Sequence, residues 1–212
     1  MSSEPLKKLG RPADTEKHEA IIAAASDAFF KHGYAATSIE HIAASAGVSK
    51  VTIYNNFDGK RGLFTAAVEL ECENMRQHFS LDNLGGGSLR EMLTIIGEAM
   101  AAFLSRPEMV QFERRIAAET EHDPAIGAAF LAAGPHRMKK AFAAFISAND
   151  AAGTLRVDDA GLAAEQFVSM CKGMGDLDRR FGHPGDPERD RMRIVGAVEV
   201  FLKAYGVNPD TR

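Results

Sequence analysis

Four side chains in a short predicted helix carry groups that can read the edges of base pairs. At 100° per residue, one side of a helix over residues 50–56 carries Lys50, Val51, Tyr54 and Asn55. In a DNA major groove a lysine suits the guanine acceptors, an asparagine suits adenine, and an apolar branch suits the thymine methyl group. The alternative is that these side chains form the solvated surface of a small helical hairpin. The spacing therefore predicts either a base-reading surface or a solvated surface on this side of the helix.

Two short helices joined by a tight turn are needed to present this side. We expect Thr37 to cap the first helix, because Glu40 lies three residues later at the spacing of a capping box. Gly47 favours a helix end just before it, and Ser49 is the expected cap of the second helix. The apolar residues expected to hold the pair in place are Ile39, Ile42, Ala43, Val48, Ile53 and Phe57. A helix of about two turns is marginal alone, so this packing decides whether it forms.

The run GVSKVTIYNNF and the residues around it match a known helix-turn-helix. With Lys60, Leu63 and Phe64, the run resembles the recognition helix and the start of the fourth helix in the TetR family of bacterial transcriptional regulators. Upstream residues at that family's spacings are Ile22, Ala25, Phe29, Gly33, Tyr34, Thr37, Ile42 and Ala43. Val51 replaces a smaller residue, and Arg61-Gly62 replaces an acidic pair. These departures affect base preference and the helix start rather than the fold.

The resemblance implies an all-α fold of about nine to ten helices. An N-terminal three-helix helix-turn-helix DNA-binding domain would precede a C-terminal helical ligand-binding and dimerisation domain. The expected function is a homodimeric repressor that a small apolar or amphipathic molecule releases from a palindromic operator. The residues expected to contact this double-stranded DNA are Thr37, Ser49, Lys50, Val51, Thr52, Tyr54, Asn55 and Lys60. Among them, Thr37, Thr52 and Lys60 are placed for phosphates.

The chain divides into four predicted segments. A flexible basic arm covers 1–13, the DNA-binding domain covers 14–60, a connecting helix covers 61–84, and the regulatory and dimerisation domain covers 85–212. The arm carries Lys7, Lys8 and Arg11, which either reach the DNA or belong to a disordered tail. The glycine run after Leu84 is expected to be a flexible joint. From Asp159 through AAEQFVSMCKG the chain resembles the C-terminal regulatory domain of one large TetR subgroup.

Composition is that of an ordinary globular protein with an uneven charge. The 212 residues are 45% hydrophobic and 25% charged, with a net charge of −4. Residues 1–61 have a net charge of +1 and the remainder has −5, which suits a DNA-reading head on a body with another task. The two cysteines, Cys72 and Cys171, lie far apart and outside any metal-binding spacing. With no long apolar run and a polar N-terminus, we expect no membrane contact and a cytoplasmic location.

The C-terminal body is rich in methionine and phenylalanine. Such residues usually form plain core, although they also line adaptable apolar pockets. The resemblance implies that some of them line a cavity for a small-molecule effector. The predicted lining residues are Met92, Ile96, Met100, Phe103, Phe112, Ile116, Phe142, Phe145 and Met170.

Apolar residues four and three apart run along the last two predicted helices. This spacing is typical of a helix that lies along a partner helix. We expect two such helices from each chain to form a four-helix bundle at a homodimer interface. The predicted interface residues are Phe167, Met170, Met174, Leu177, Ile194, Val198, Phe201 and Tyr205.

No grouping of residues indicates catalysis, a bound metal or a cofactor. His122-Asp123 is more simply a capped helix end than a metal site, and the charged runs at 113–115 and 178–180 are most simply solvated faces. Nucleophile and zinc-protease motifs are missing from the sequence. Three alternatives stay open: a DNA-binding regulator without a ligand that a protein partner recruits, a transcriptional activator, and a helical enzyme with a vestigial head.

Overall fold

The computed structural model describes residues 12–78 and 87–207, and within them the chain forms ten helices. They are α1 (Pro12–His32), α2 (Ile39–Ser45), α3 (Lys50–Asn56), α4 (Gly59–His78), α5 (Leu89–Leu104), α6 (Pro107–Thr120), α7 (Pro124–Ala133), α8 (Pro135–Ala151), α9 (Ala160–Arg180) and α10 (Pro187–Tyr205). The predicted all-α fold is confirmed. The arm residues 1–11 and the expected joint at 84–86 lie outside the described residues. None of the ten helices is both long and apolar enough to cross a membrane.

The helix starts in the second half follow from local capping chemistry. Ser88 and Glu91, three residues apart, form a capping box at the start of α5. Asp123, Asp159 and Asp186 cap α7, α9 and α10 by accepting backbone N–H groups, and proline occupies the first turn of α7 and of α10. These boundaries were readable from sequence because each depends on residues within one turn.

Two apolar clusters hold the described helices together. The first joins α1–α4 to α6 and α7, with Phe29, Phe64 and Phe112 fully buried at its centre. The second joins α5, α8, α9 and α10 around Phe167 and Phe201. Apolar packing therefore does not divide at residue 84, because α6 and α7 complete the core beneath the DNA-reading helices. Movement of α6 and movement of the N-terminal helices are mechanically linked.

Helix α9 contains a sharp kink at Gly173. This residue has φ 47° and ψ −155°, a conformation open only to glycine, and the chain resumes its helix after it. The Arg193 side chain of α10 crosses the kink so closely that an added Cβ at Gly173 would lie 2.6 Å from Arg193 Cδ. The kink lets α9 face different neighbours before and after residue 173.

Candidate nucleic-acid interface and the cavity behind it

Helix α3 is held by one cap and one buried anchor. Ser49 Oγ accepts the N–H of Thr52, as the sequence predicts, and Ile53 is fully buried. The Phe57 ring, immediately after α3, stacks on His18 of α1 with ring centroids 4.8 Å apart. The positive φ of Gly47 (66°) makes the turn before α3. A helix too short to stand alone is thereby fixed on the core.

The predicted base-reading side of α3 faces solvent. Val51 is 66% exposed and Tyr54 is 59% exposed, and Lys50 and Asn55 are also exposed. Exposed apolar and aromatic side chains next to an amide and an ammonium group suit the floor of a major groove. None of the residues in 12–78 and 87–207 buries these four side chains, so within this part of the chain the side is open to a groove.

An ion pair on this side was missed by the sequence analysis. Lys50 Nζ donates to Glu40 Oε1 of α2 at 2.9 Å, across the helix-turn-helix turn. The hydrogen bond from Lys50 lowers the pKa of the Glu40 carboxyl, and the same bond raises the pKa of Lys50. Both groups are exposed, so the pair is readily exchanged. Lys50 must leave Glu40 to reach a guanine acceptor.

Ser49 and Thr52 engage one another at the start of α3. Their hydroxyl oxygens are 2.9 Å apart, and the Asn56 amide donates to the Thr52 carbonyl at 2.7 Å. These three polar groups stabilise the helix in the absence of DNA. A phosphate contact by Ser49 or Thr52 would use the remaining capacity of its hydroxyl group.

Thr37 occupies a different place from the predicted one. Ser38, not Thr37, caps α2 by accepting the N–H of His41, so the predicted capping box with Glu40 is wrong. Thr37 is 3% exposed, and its hydroxyl is within donating distance of the carbonyls of Gly33 (2.7 Å) and Ala28 (3.1 Å) of α1. The expectation that Thr37 contacts a phosphate is corrected too, because the turn after α1 draws this residue into the core.

Lys60 lies beside the loop after α1. Its ammonium group is 4.5 Å from the centroid of the Tyr34 ring and donates to the Ala35 carbonyl at 3.2 Å. Desolvation by partial burial lowers its pKa. The cation is held over an aromatic face close to the start of α4, where a phosphate would also be attracted.

Helix α6 forms hydrogen bonds with the end of α1 and with the loop that leads into α2. Arg115 Nη1 donates to the carbonyls of Lys31 (2.6 Å) and Phe30 (3.3 Å). The Ala35 N–H donates to both carboxylate oxygens of Glu119, at 3.1 Å each. The interpretation of residues 113–115 as a solvated face is therefore wrong for Arg115, which joins the C-terminal helices to the DNA-reading head. Sequence spacing gave no signal for contacts between residues more than 80 positions apart.

A cavity of about 820 Å³ lies among α4–α9, with Phe30 of α1 also on its wall. Five of the nine predicted lining residues border it, namely Ile96, Met100, Phe103, Phe142 and Phe145. The other four do not border it: Phe112 and Ile116 are buried in the first core cluster, and Met92 and Met170 are not among the lining residues. Helical periodicity shows which side of a helix is apolar but not whether that side meets a neighbour or a void.

The wall of the cavity contributed by α6 carries one largely buried carboxylate. Glu113 Oε2 lies 2.9 Å from Arg180 Nη2 of α9, and its side chain is 15% exposed. Burial raises the pKa of Glu113, while Arg180 opposes this rise. The neighbouring Arg179 is 10% exposed and pairs with Asp190 at 2.7 Å. The predicted solvated face at 178–180 is thus an ion-pair network that joins α9 to α6 and α10.

Exposed apolar residues on α9 and α10 coincide with the predicted interface only at Met174 and Leu177. Phe167, Ile194, Val198 and Phe201 are at most 3% exposed inside one chain, so the prediction that they form a surface seam is wrong. Met170 and Tyr205 are half-buried against the same cluster. These apolar side chains are buried within one chain because α9 packs on α10 and α5. Leu162 and Val200 are exposed as well. The name α9–α10 face is used here for five exposed apolar residues, Met174, Leu177, Phe181, Met192 and Val195.

Comparisons with known proteins agree with this architecture. Residues 21–67 match the bacterial regulatory proteins of the tetR family, and residues 91–207 match the AefR-like transcriptional repressor C-terminal domain. The chain is 27% identical to a TetR-family transcriptional regulator from Mesorhizobium loti of known structure, with a TM-score of 0.77 over 93% of this chain and 100% of that one. It is 31% identical to the flavonoid-responsive regulator FrrA, with a TM-score of 0.71 over 91% of this chain and 98% of that one.

Two curated relatives match over a short part of the chain. The uncharacterized HTH-type regulator YdeS of Bacillus subtilis is 43% identical over 53 residues, which are 25% of this chain and 27% of YdeS. The HTH-type transcriptional activator FasR of Mycolicibacterium smegmatis is 36% identical over 64 residues, or 30% of this chain and 29% of FasR. These matches span less than a third of either relative. With the family matches at both ends of the chain, the protein belongs to the TetR family of bacterial DNA-binding transcriptional regulators.

Proposed function

We propose that this regulator is a homodimeric repressor that leaves a palindromic operator when a small apolar or amphipathic molecule fills its cavity. The observation that carries the proposal is the double role of α6. This helix lines the cavity with Met109 and Glu113, and it holds the loop at the head with Arg115 and Glu119. A molecule that displaces α6 therefore moves the loop that leads into the DNA-reading helices.

The proposed operator contacts follow from exposure on α3. Val51, Tyr54, Asn55 and, after exchange from Glu40, Lys50 read bases in the major groove. The remaining hydroxyl capacity of Ser49 and Thr52 and the ammonium group of Lys60 serve phosphates. A helix of two turns reads few base pairs, so two copies are needed to select one site in a genome.

The α9–α10 face supplies the proposed dimer interface. Its five apolar residues are 46–78% exposed, and soluble proteins avoid leaving such residues uncovered in a group. Two helices from each chain would form a four-helix bundle, and of the eight predicted interface residues only Met174 and Leu177 belong to this face. Gly196 assists a close approach, because an added Cβ there meets no atom within 4 Å.

The proposed mechanism is a shift between two arrangements of the dimer. In one, the two heads match the operator spacing, and in the other they do not. The ligand changes the balance only by its difference in affinity for the two arrangements. The cavity volume of about 820 Å³ lies within the usual range of about 300–1,000 Å³ for small-molecule sites. FrrA, which is described as flavonoid-responsive, supports a small-molecule effector for this chain.

Activation is the second candidate function, because the curated relative FasR is described as an activator. Selection of genomic fragments by the purified protein, followed by a reporter assay at the selected sites, tests the proposal. We expect an enriched palindrome and lower reporter output with the protein than without it. Higher output would favour activation, and the absence of any enriched sequence would contradict specific operator binding. Stable binding that no small molecule weakens would favour a regulator without a ligand.

A further inference from the structure

The floor of the cavity is aromatic. Its rings come from Phe30, Phe103, Phe130, Phe142 and Phe145, with Phe142 and Phe145 stacked at a centroid distance of 5.9 Å. Sulfur atoms of Met100, Met109, Met138 and Cys72 lie among them. Rings pack favourably on rings and on divalent sulfur. The walls thus suit a molecule with an aromatic body.

The charged groups of the cavity wall are already paired. Glu71 is 3.3 Å from Arg106, Glu113 is 2.9 Å from Arg180, Glu165 is 3.1 Å from Lys139, and Lys172 is 3.2 Å from Asp176. Glu73 and His136 also border the cavity, and Glu73 is not without a partner. An ionised ligand would leave water without finding a free counter-charge, and an unpaired charge in apolar surroundings is costly.

Glu113 is the best placed of these groups to meet a polar end of the ligand. Its side chain is 15% exposed, whereas Glu165 and Lys139 are 61% and 43% exposed at the rim. Of the Glu71 carboxylate oxygens, one accepts the Ser26 hydroxyl and the other accepts Arg106. Glu113 borders the cavity and accepts a hydrogen bond from Arg180, whose side chain is 41% exposed.

We propose that the effector is an uncharged aromatic molecule with a hydroxyl-type hydrogen-bond donor, and that Glu113 accepts this donor. The proposal rests on the proposed function of the cavity as an effector site. Because the wall carboxylates and Lys139 and Lys172 already have partners, we expect aromatic acids and aromatic amines to bind less tightly. Because Glu113 lies on α6, the polar end of the ligand acts on the helix that holds the head through Arg115 and Glu119.

Four para-substituted biphenyls of nearly equal size test this class. They are the methanol, the methyl, the carboxylate and the methylammonium derivatives, and binding to the full-length protein is measured by calorimetry at neutral pH. We expect the methanol derivative to bind at least about tenfold more tightly than either charged derivative, and more tightly than the methyl derivative. Tightest binding by the carboxylate or the methylammonium derivative would overturn the proposal.

Two variants locate the acceptor. In Glu113→Leu the advantage of the methanol over the methyl derivative should vanish, and the carboxylate should gain affinity because Arg180 loses its Glu113 partner. Glu108→Leu, exposed on the same helix and outside the cavity lining, is the matched control and should leave the order unchanged. If Glu113→Leu does not fold, Glu113→Gln keeps an acceptor oxygen and should retain the order. An unchanged methanol advantage in folded Glu113→Leu would overturn the role of Glu113.

Operator release separates this inference from the proposed function. Binding of the methanol derivative with release of DNA in a mobility-shift assay supports both. Binding in the expected order without release supports the ligand class and contradicts ligand-controlled repression. Binding of none of the four compounds overturns the aromatic ligand class, and any release by an unrelated molecule would then leave the proposed repression standing.

Discussion

The substitution Met174→Glu should convert the protein into a folded monomer. Met174 is 65% exposed in the single chain, so a charged residue there meets water and leaves the core untouched. Met192→Glu should also give a folded monomer, since Met192 is 63% exposed on the adjacent helix α10. We expect the melting temperature to change little when it is extrapolated to low protein concentration. The substitution should weaken dimer association and leave the stability of the single chain unchanged.

The size of this loss follows from apolar area. Full burial of a methionine side chain contributes about 1.5–3 kcal/mol, and roughly two-thirds of that is left to gain in the dimer, or about 1–2 kcal/mol. A two-fold interface contains the residue twice, so glutamate removes about 2–4 kcal/mol from the association free energy. The dimer dissociation constant should therefore rise about thirtyfold to a thousandfold. Desolvation of the glutamates adds to this rise.

Sedimentation equilibrium and a mobility-shift assay on a palindromic operator measure the two consequences. Leu131→Glu is the matched control, because Leu131 is 42% exposed on α7, away from the α9–α10 face. Phe201→Ala is the contrasting case: its ring is fully buried, so it should cost about 3–5 kcal/mol of unfolding free energy. If Met174→Glu stays dimeric and binds the operator normally, the interface lies elsewhere and the reasoning fails.

Four further outcomes are expected. Tyr54→Ala should weaken specific operator binding by about 1–3 kcal/mol with the fold intact, and an unchanged affinity in a mobility-shift assay would remove Tyr54 from the reading face. Thr37→Val should lower the free energy of unfolding in urea by about 1–2 kcal/mol, because two buried carbonyls lose their donor, and folded molecules should bind the operator as before. Glu119→Ala should reduce ligand-driven release of DNA about five- to tenfold, whereas Glu121→Ala, exposed at the end of the same helix, should not. Burial raises the pKa of the Cys72 thiol to about 11. Alkylation of Cys72 near pH 8, followed by mass spectrometry, should therefore be at least about a hundredfold slower in the folded protein than in urea, and it should accelerate as the pH rises toward 11. Equal rates in the folded protein and in urea would contradict the burial of this thiol.

The helix-turn-helix was predictable because its determinants are local. The Ser49 cap, the Gly47 turn and the buried Ile53 act within a few residues, and all three are where the sequence placed them. The exception is the choice between two adjacent hydroxyl residues, Thr37 and Ser38, as the cap of α2. Carbonyl groups of α1 decide this choice by accepting the Thr37 hydroxyl, and a local pattern carries no information about them.

The charged runs were misread for a related reason. A run such as 113–115 is usually solvated, and its spacing does not show which of its members meets another helix. In the fold, Arg115 reaches carbonyl groups at the end of α1, and Glu113 turns to the cavity and Arg180. The composition of this run favoured a solvated surface. In the fold, its tertiary contacts instead connect the cavity to the N-terminal helices. The same limit applies to the cavity, whose lining depends on where packing between helices is incomplete.

The part of the dimer-seam error that lies on α9 has a physical origin in the kink at Gly173. Before the kink, the apolar stripe of α9 is internal, since Phe167 is fully buried among α5, α8 and α10. After it, Met174 and Leu177 are 65% and 46% exposed, although the spacing of the stripe is unbroken in sequence. A straight helix would keep one face toward one neighbour, so a periodic pattern assigns a single role to the whole stripe. One non-helical glycine divides that stripe: its first half packs within the chain, and its second half faces solvent.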